Sequence, residues 1–263
     1  MATKMGVIKK TAIAAYEAIR RSGIIAIKLS SDDQLRWAKL TTGDDIVFLI
    51  SKHGMSIKFD EKNVRPMARD TMGVRGIKLK KDDELIGMDV INKEDIKAQL
   101  LVVTEKGIGK KSEVSAWPLQ LRGGVGVKAA NLGEKTGSIV TAQMLTKEDE
   151  ALIITSQKGQ VIRVTLKGIP KLTRDTQGVI IMRLSQTDKV AAATIIKTKK
   201  EDEIPQGEKK PPQTNLPTYT QKPKPKITIK PKVAKAKTLK TKIVKKVIKA
   251  KPKAKVAKKT KKR

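Results

Sequence analysis

The sequence predicts an all-β, propeller-like fold made of four repeats. Three observations carry that expectation: a fixed internal period, apolar runs of strand length, and glycines placed where such strands would have to turn. Gly6, Gly54, Gly107 and Gly159 follow one another at 48, 53 and 52 residues. A second set, Gly23, Gly73, Gly126 and Gly178, keeps 50, 53 and 52, while Pro66, Pro118 and Pro170 keep 52 and 52. A period of this size signals stacked or radial repeats.

The second repeat, 46–97, shows the elements most clearly. Ile46-Val-Phe-Leu-Ile50 is a short continuous apolar run rich in β-branched types, which favours a buried strand over a helix. Ser51-Lys-His-Gly54 is a turn in which glycine supplies the positive φ. Met55 to Phe59 alternates apolar and polar as a returning strand. A loop with Pro66 leads to Gly73 and a third strand ending at Leu79, then Asp82-Asp83 mark a turn before a fourth strand, Leu85 to Val90. Four short strands with tight turns and one longer loop form a propeller blade.

The other repeats follow suit. Leu100–Val103 and Ala151–Thr155 stand where Ile46–Ile50 stood, and Ile139-Val140 and Val190–Ile195 close their units. The expected boundaries are 1–45, 46–97, 98–150 and 151–203. Only five residues precede Gly6, too few for a full opening strand. The chain is then either a fragment or an open crescent, or the missing strand comes from the segment after Val190. Kelch units would carry glycine doublets and aromatic markers, and WD units a Trp-Asp ending; this chain has one doublet, Gly123-Gly124, and two each of Phe, Trp and Tyr.

Composition divides the chain in two. Residues 1–203 hold 36 of the 58 basic side chains and 25 of the 26 acidic ones, enough balance for an ordinary globular core. Residues 204–263 hold 22 basic residues, one acid and eight of the eleven prolines, which predicts a disordered Lys/Pro/Ala-rich tail. The absence of cysteine excludes disulfides and thiolate metal sites, and there is no apolar run near membrane-spanning length. A formal net charge of +32 makes a polyanion the expected partner.

The candidate contacts repeat with the fold. Each leading glycine has a cation four residues on: Lys10, Lys58, Lys111 and Arg163. Three repeats place an arginine four before the second glycine (Arg69, Arg122, Arg174), and the first offers Arg20 and Arg21 nearby. Such positions are either the solvated face of a strand or studs along a rim that meets phosphates without reading bases. Arg75, Lys78 and Lys128, with Lys28 and Arg183, support the second reading. Tyr16 lacks any acid cluster that would accompany a nucleophile. Asp32-Asp33, Asp44-Asp45 and Asp82-Asp83 sit between strands and read as turns. His53 has no ligand partners, and Trp37 and Trp117 read as packing residues, so no metal or cofactor is expected.

Several phrases resemble a known family. Met1-Ala-Thr-Lys-Met-Gly-Val-Ile-Lys-Lys-Thr11, Arg21-Ser-Gly-Ile-Ile-Ala-Ile-Lys-Leu29, Arg69-Asp-Thr-Met-Gly-Val-Arg-Gly-Ile-Lys-Leu79 and Arg174-Asp-Thr-Gln-Gly-Val-Ile-Ile181 are similar to the later blades of the DNA gyrase A C-terminal domain. The resemblance covers about 1–203 and implies a β-pinwheel, a propeller variant whose blades exchange strands. It further implies non-sequence-specific binding and bending of double-stranded DNA, in partnership with a gyrase A catalytic core and with gyrase B. The family activity is that of an ATP-dependent type IIA topoisomerase, whose catalytic tyrosine domain this chain does not contain, so no enzyme activity is expected of it alone. A cytoplasmic, nucleoid-associated location follows. Gln120-Leu-Arg-Gly-Gly-Val-Gly126 is a degenerate form of the family's signature box. It keeps Gln120, Arg122, Gly123, Gly124 and Gly126 but has Leu121 and Val125 where the box is basic. Alternative readings are a topoisomerase IV C-terminal domain, a protein-interaction propeller whose tail alone touches nucleic acid, and one part of a split topoisomerase.

Overall fold

The structure, a computed structural model, describes residues 1–197 apart from Ile19, Glu94 and Ile96; the segment expected to be a basic tail lies outside the described residues. The described residues belong to one compact unit, Met1–Ile204. They form fifteen short strands and four one-turn 3-10 helices, with no α-helix.

In chain order the strands are β1 (Ala2–Thr3), β2 (Val7–Ile8), β3 (Leu35–Trp37), β4 (Ile46–Ser51), β5 (Met55–Asp60), β6 (Val74–Arg75), β7 (Leu85–Ile91), β8 (Gln99–Thr104), β9 (Ile108–Glu113), β10 (Val127–Lys128), β11 (Ile139–Leu145), β12 (Asp149–Ser156), β13 (Val161–Thr165), β14 (Val179–Ile180) and β15 (Val190–Lys197). The 3-10 helices are η1 (Ile13–Tyr16), η2 (Glu61–Asn63), η3 (Val114–Ala116) and η4 (Leu166–Gly168).

These strands make four antiparallel sheets, ordered β3-β1-β2-β6, β10-β5-β4-β7, β11-β8-β9-β14 and β13-β12-β15. Each is centred on one repeat, and the first three borrow an outer strand from a later one. β6 of the second repeat pairs with β2 of the first, β10 of the third with β5 of the second, and β14 of the fourth with β9 of the third. The third strand expected in the second, third and fourth repeats is therefore a donated one, whereas the corresponding phrase of the first repeat, 23–29, does not form a strand. The segment after Val190 does not complete the first repeat: β15 pairs with β12 in its own sheet, and β3 pairs with β1.

The apolar runs are continuous because the sheets are buried on both faces. Val47 and Leu49 join Ala2, Ile8 and Ile77 in one core cluster, while Phe48 and Ile50 point the other way, to Leu100, Val102 and Trp117. Leu101 and Val103 face Leu152, Ile154 and Met182 in a third cluster. Four sheets thus enclose three cores. Trp117 is a packing residue: its ring meets Phe48 edge-on at 5.2 Å, and its Nε1 donates to Ser56 Oγ at 2.7 Å.

The expected turns form. Gly6, Gly54, Gly107 and Gly159 all have positive φ. Buried Asp33 and Asp83 each clamp a neighbouring hairpin, accepting from Met5 N and His53 N at 2.9 Å, and Asp188 does the same for Lys158 N. An acidic side chain at this place satisfies a turn N–H that the β ladder cannot reach.

Candidate nucleic-acid interface

The cations four residues after the leading glycines have a partner the sequence could not show. Lys10 Nζ donates to Glu61 O at 3.2 Å, Lys58 Nζ to Val114 O at 3.1 Å, and Lys111 Nζ to Leu166 O at 2.7 Å. Glu61, Val114 and Leu166 are the first residues of η2, η3 and η4, so each lysine reaches the same atom in the next repeat. That carbonyl already accepts the N–H closing its helix, from Val64, Trp117 and Ile169 respectively. The lysine takes its second lone pair. Burial lowers the pKa of Lys58, and burial followed by repulsion from Lys171 lowers that of Lys111. Arg163, in the last repeat, is exposed and pairs with Glu150 at 3.0 Å.

The arginine set behaves in a parallel way, directed backwards along the chain. Arg69 NH1 donates to Ile25 O at 3.0 Å, Arg122 NH1 to Arg75 O at 3.1 Å, and Arg174 NH1 to Lys128 O at 3.1 Å. Each acceptor lies two residues after the second glycine of the preceding repeat. Arg122 and Arg174 therefore hold the donated strands β6 and β10, and Arg69 holds the corresponding phrase of the first repeat.

Sequence reasoning misses two buried lysines. Lys9 and Lys110 are each only 1% exposed. Lys110 Nζ donates to Thr173 O at 2.8 Å, Arg174 O at 2.6 Å and Thr176 Oγ1 at 3.4 Å. Lys9 Nζ donates to Ala26 O at 2.9 Å and to Arg69 O. Burial pushes Lys110 down to about 8, against an opposing pull from Asp175, and lowers Lys9 against a similar pull from Asp70. The signal that could have found them is the pair of loops that receive them, Arg69-Asp-Thr71 and Arg174-Asp-Thr176. At the equivalent place the second repeat has Ile57, and the loop it meets is Arg122-Gly-Gly124.

The degenerate box is part of this junction. Gln120 N donates to Lys58 O at 2.8 Å, Arg122 Nε to Asn63 O at 2.9 Å, and Gly123 N to Gly76 O at 2.6 Å. A Cβ on Gly126 would stand 2.2 Å from Ser56 O. Leu121 and Val125, where the family's box is basic, are exposed.

After these ties are assigned, Arg20, Arg21, Lys28, Arg75, Lys78, Lys128 and Arg183 are exposed with no side-chain ion pair among the described residues. Tyr16 makes only a long contact from its hydroxyl to Met1 Sδ, 3.9 Å. His53 Nδ1 lies 3.8 Å from Asp83, and no group of three metal-ligating side chains occurs among the described residues.

Four sheets with strand exchange at every junction define a propeller-like repeat domain of the pinwheel type. The chain belongs to the DNA gyrase C-terminal domain, beta-propeller family, whose model matches residues 1–42, 45–92, 98–145 and 150–197. It is 36% identical over 207 residues to the A-type subunit of DNA gyrase from Staphylococcus aureus (strain NCTC 8325 / PS 47), a match covering 79% of this chain and 23% of that protein. Among solved structures it is similar to a DNA gyrase A C-terminal domain, with a TM-score of 0.62, 27% identity and coverage of 74% of this chain and 64% of that one. It shares its fold with the C-terminal domain of a DNA topoisomerase IV, with a TM-score of 0.69, 24% identity and coverage of 74% and 60%.

Proposed function

We propose that this chain binds duplex DNA without sequence preference along its exposed cations and bends it, for a gyrase-type catalytic core. The observation that carries the reading is the division of labour among basic residues. Lys10, Lys58 and Lys111 are committed to backbone carbonyls, whereas Arg20, Arg21, Arg75, Lys78 and Lys128 stand exposed on or beside the donor phrases of successive repeats. Spaced cations that carry no base-reading geometry suit the phosphates of a curved duplex. Arg69, Arg122 and Arg174 contribute a second contact through the guanidinium N–H groups not used within the fold. Arg163 contributes by exchanging Glu150 for a phosphate.

In this reading the domain does no chemistry. It presents DNA to a core that carries the cleavage tyrosine and works with a gyrase B-type ATPase, in the cytoplasm on nucleoid DNA. The exposed Leu121 and Val125 weaken the path past the third repeat, which favours bending over chiral wrapping. The basic segment 204–263 adds sequence-independent affinity, with a salt slope of about −0.9 per neutralised phosphate.

The test separates repeats from tail. Residues 1–203 alone should bind a duplex at low salt, and Arg75→Glu with Lys78→Glu and Lys128→Glu should weaken that binding by at least about tenfold. A fragment 1–203 with no duplex affinity at low salt would overturn the proposal and leave a protein-interaction propeller with a nucleic-acid-binding tail.

A further inference from the structure

Two of the donated strands are held from both sides by different repeats. β6, from the second repeat, pairs with β2 of the first, and its Arg75 carbonyl accepts from Arg122 NH1 of the third at 3.1 Å. β10, from the third repeat, pairs with β5 of the second, and its Lys128 carbonyl accepts from Arg174 NH1 of the fourth at 3.1 Å. The gripped residue stands two places after the second glycine, a position filled by Ile25, Arg75, Lys128 and Ile180 in the four repeats. In the two middle repeats a guanidinium is thus fastened to the backbone of a residue that is itself a cation.

Covalent geometry then puts each NH1 within about 6 Å of the gripped residue's Cα. Arg75 and Lys128 are exposed, and Arg122 and Arg174 are half-buried. Arg122 uses NH1 and Nε on carbonyls, and Arg174 uses NH1. A guanidinium has five N–H donors, so each keeps donors with no partner among the described residues. Two positive side chains rooted this close repel each other unless an anion lies between them.

We propose that Arg75 with Arg122, and Lys128 with Arg174, each form a clamp that takes one phosphate of a duplex between two repeats. The clamps rest on the duplex binding proposed above and assign which cations act together. A phosphate accepts charge-assisted hydrogen bonds from both members, and the planar guanidinium presents a fork that suits it. The two clamps differ in strength. Asp175 is exposed next to Arg174 and repels a phosphate, whereas Gly123 follows Arg122. Lys78, whose backbone N donates to Gly124 O at 2.8 Å, adds a third exposed cation beside Arg75 and Arg122. The Arg75 clamp is therefore the tighter. In the first repeat the same grip, from Arg69, falls on Ile25, which is 68% exposed, and Asp70 is exposed beside that arginine. Half a clamp is present there.

The test is the affinity of the full chain for a duplex at one fixed salt concentration, with single and paired substitutions, so that residues 204–263 contribute alike throughout. Arg75→Gln should weaken binding by about tenfold, and that factor should shrink at least about threefold when Arg122→Gln is already present. Arg122→Gln should still weaken binding in the Arg75→Gln chain, because its own contact to the phosphate remains. Lys128→Gln and Arg174→Gln should behave alike with smaller factors, whereas Arg75→Gln and Arg174→Gln, from different clamps, should multiply. Losses that multiply within each pair overturn the clamps, since each cation then meets its own phosphate. No further loss from Arg122→Gln in the Arg75→Gln chain also overturns them, since the arginine then only holds the strand. No loss from any of these substitutions overturns the duplex reading as well. Ile25→Arg keeps the proposal testable if Arg122→Gln unfolds the chain. It completes the half clamp without removing a side-chain hydrogen bond, and should raise affinity more in the wild-type chain than beside Arg69→Gln. An equal gain in both contradicts the proposal.

Discussion

The buried ammonium of Lys110 donates across 2.6 Å to the backbone carbonyl of Arg174, tying the return strand of the third repeat to the loop that delivers the fourth repeat's donated strand. Lys9 makes the same tie to Arg69 O, and at the intervening junction Ile57 lies against Gly124 instead, 3.6 Å from where a Cβ would sit. The junctions thus come in two kinds. A lysine meets an Arg-Asp-Thr loop full of acceptors, or an isoleucine meets an Arg-Gly-Gly loop with room for it.

Lys110 makes stability depend on pH. Its folded value is lowered from 10.5 to about 8, so between those values the unfolded chain holds more protons at this site than the folded one. Stability therefore rises with pH through that window, and the contribution is lost as pH falls toward 8. At about 1.4 kcal/mol per pKa unit, the rise is at most about 3 kcal/mol. Denaturant midpoints should increase from pH 8 to 10.5, and Lys110→Met should flatten part of that increase.

The second junction should not tolerate the chemistry of the other two. Ile57→Lys places an ammonium beside Arg122, with no acid where Asp70 and Asp175 stand elsewhere. An unpaired buried charge costs about 3–5 kcal/mol. The variant should unfold at markedly lower denaturant, whereas Ile57→Val should cost about 1 kcal/mol.

Lys58 and Arg75 should separate stability from binding. Lys58→Met removes the donor to Val114 O and should cost about 1–3 kcal/mol, since a hydrogen bond to a charged group is lost. Arg75→Gln removes an exposed charge and should leave the denaturation midpoint nearly unchanged while reducing duplex affinity and the steepness of its salt dependence. Equal loss of stability from both would contradict the assignment of Lys58 as a structural tie.

Glycines of the donor phrases should differ by position. Gly126 has φ +77° and faces Ser56 O, so Gly126→Ala must displace the donated strand and should cost at least about 3 kcal/mol. Gly23 has nearly the same φ but open space, so Gly23→Ala should cost only the strain, about 1 kcal/mol. Thermal melts of the two variants measure the contrast directly.

Much of this was legible in the amino-acid order because it is local. Runs such as Ile46–Ile50 and Leu100–Val103 announce strands buried on both faces. The glycines and Asp82-Asp83 announce the turns, and the period announces four units. The family phrases name the pinwheel and its strand exchange. The destinations of side chains were not legible. Lys58 and Arg163 occupy the same place in their repeats, yet one ends on Val114 O of the next repeat and the other on Glu150 of the adjacent strand β12.

Periodicity and turn chemistry act over a few residues, so the repeat, the strands, the cation carried in each unit and the contrast between Arg-Asp-Thr and Arg-Gly-Gly loops are all written in the chain. Which cations are committed to carbonyls and which face solvent is settled at the level of the folded sheets. That choice depends on atoms some fifty residues away in the chain, brought to about 3 Å when β6, β10 and β14 cross into the preceding sheets.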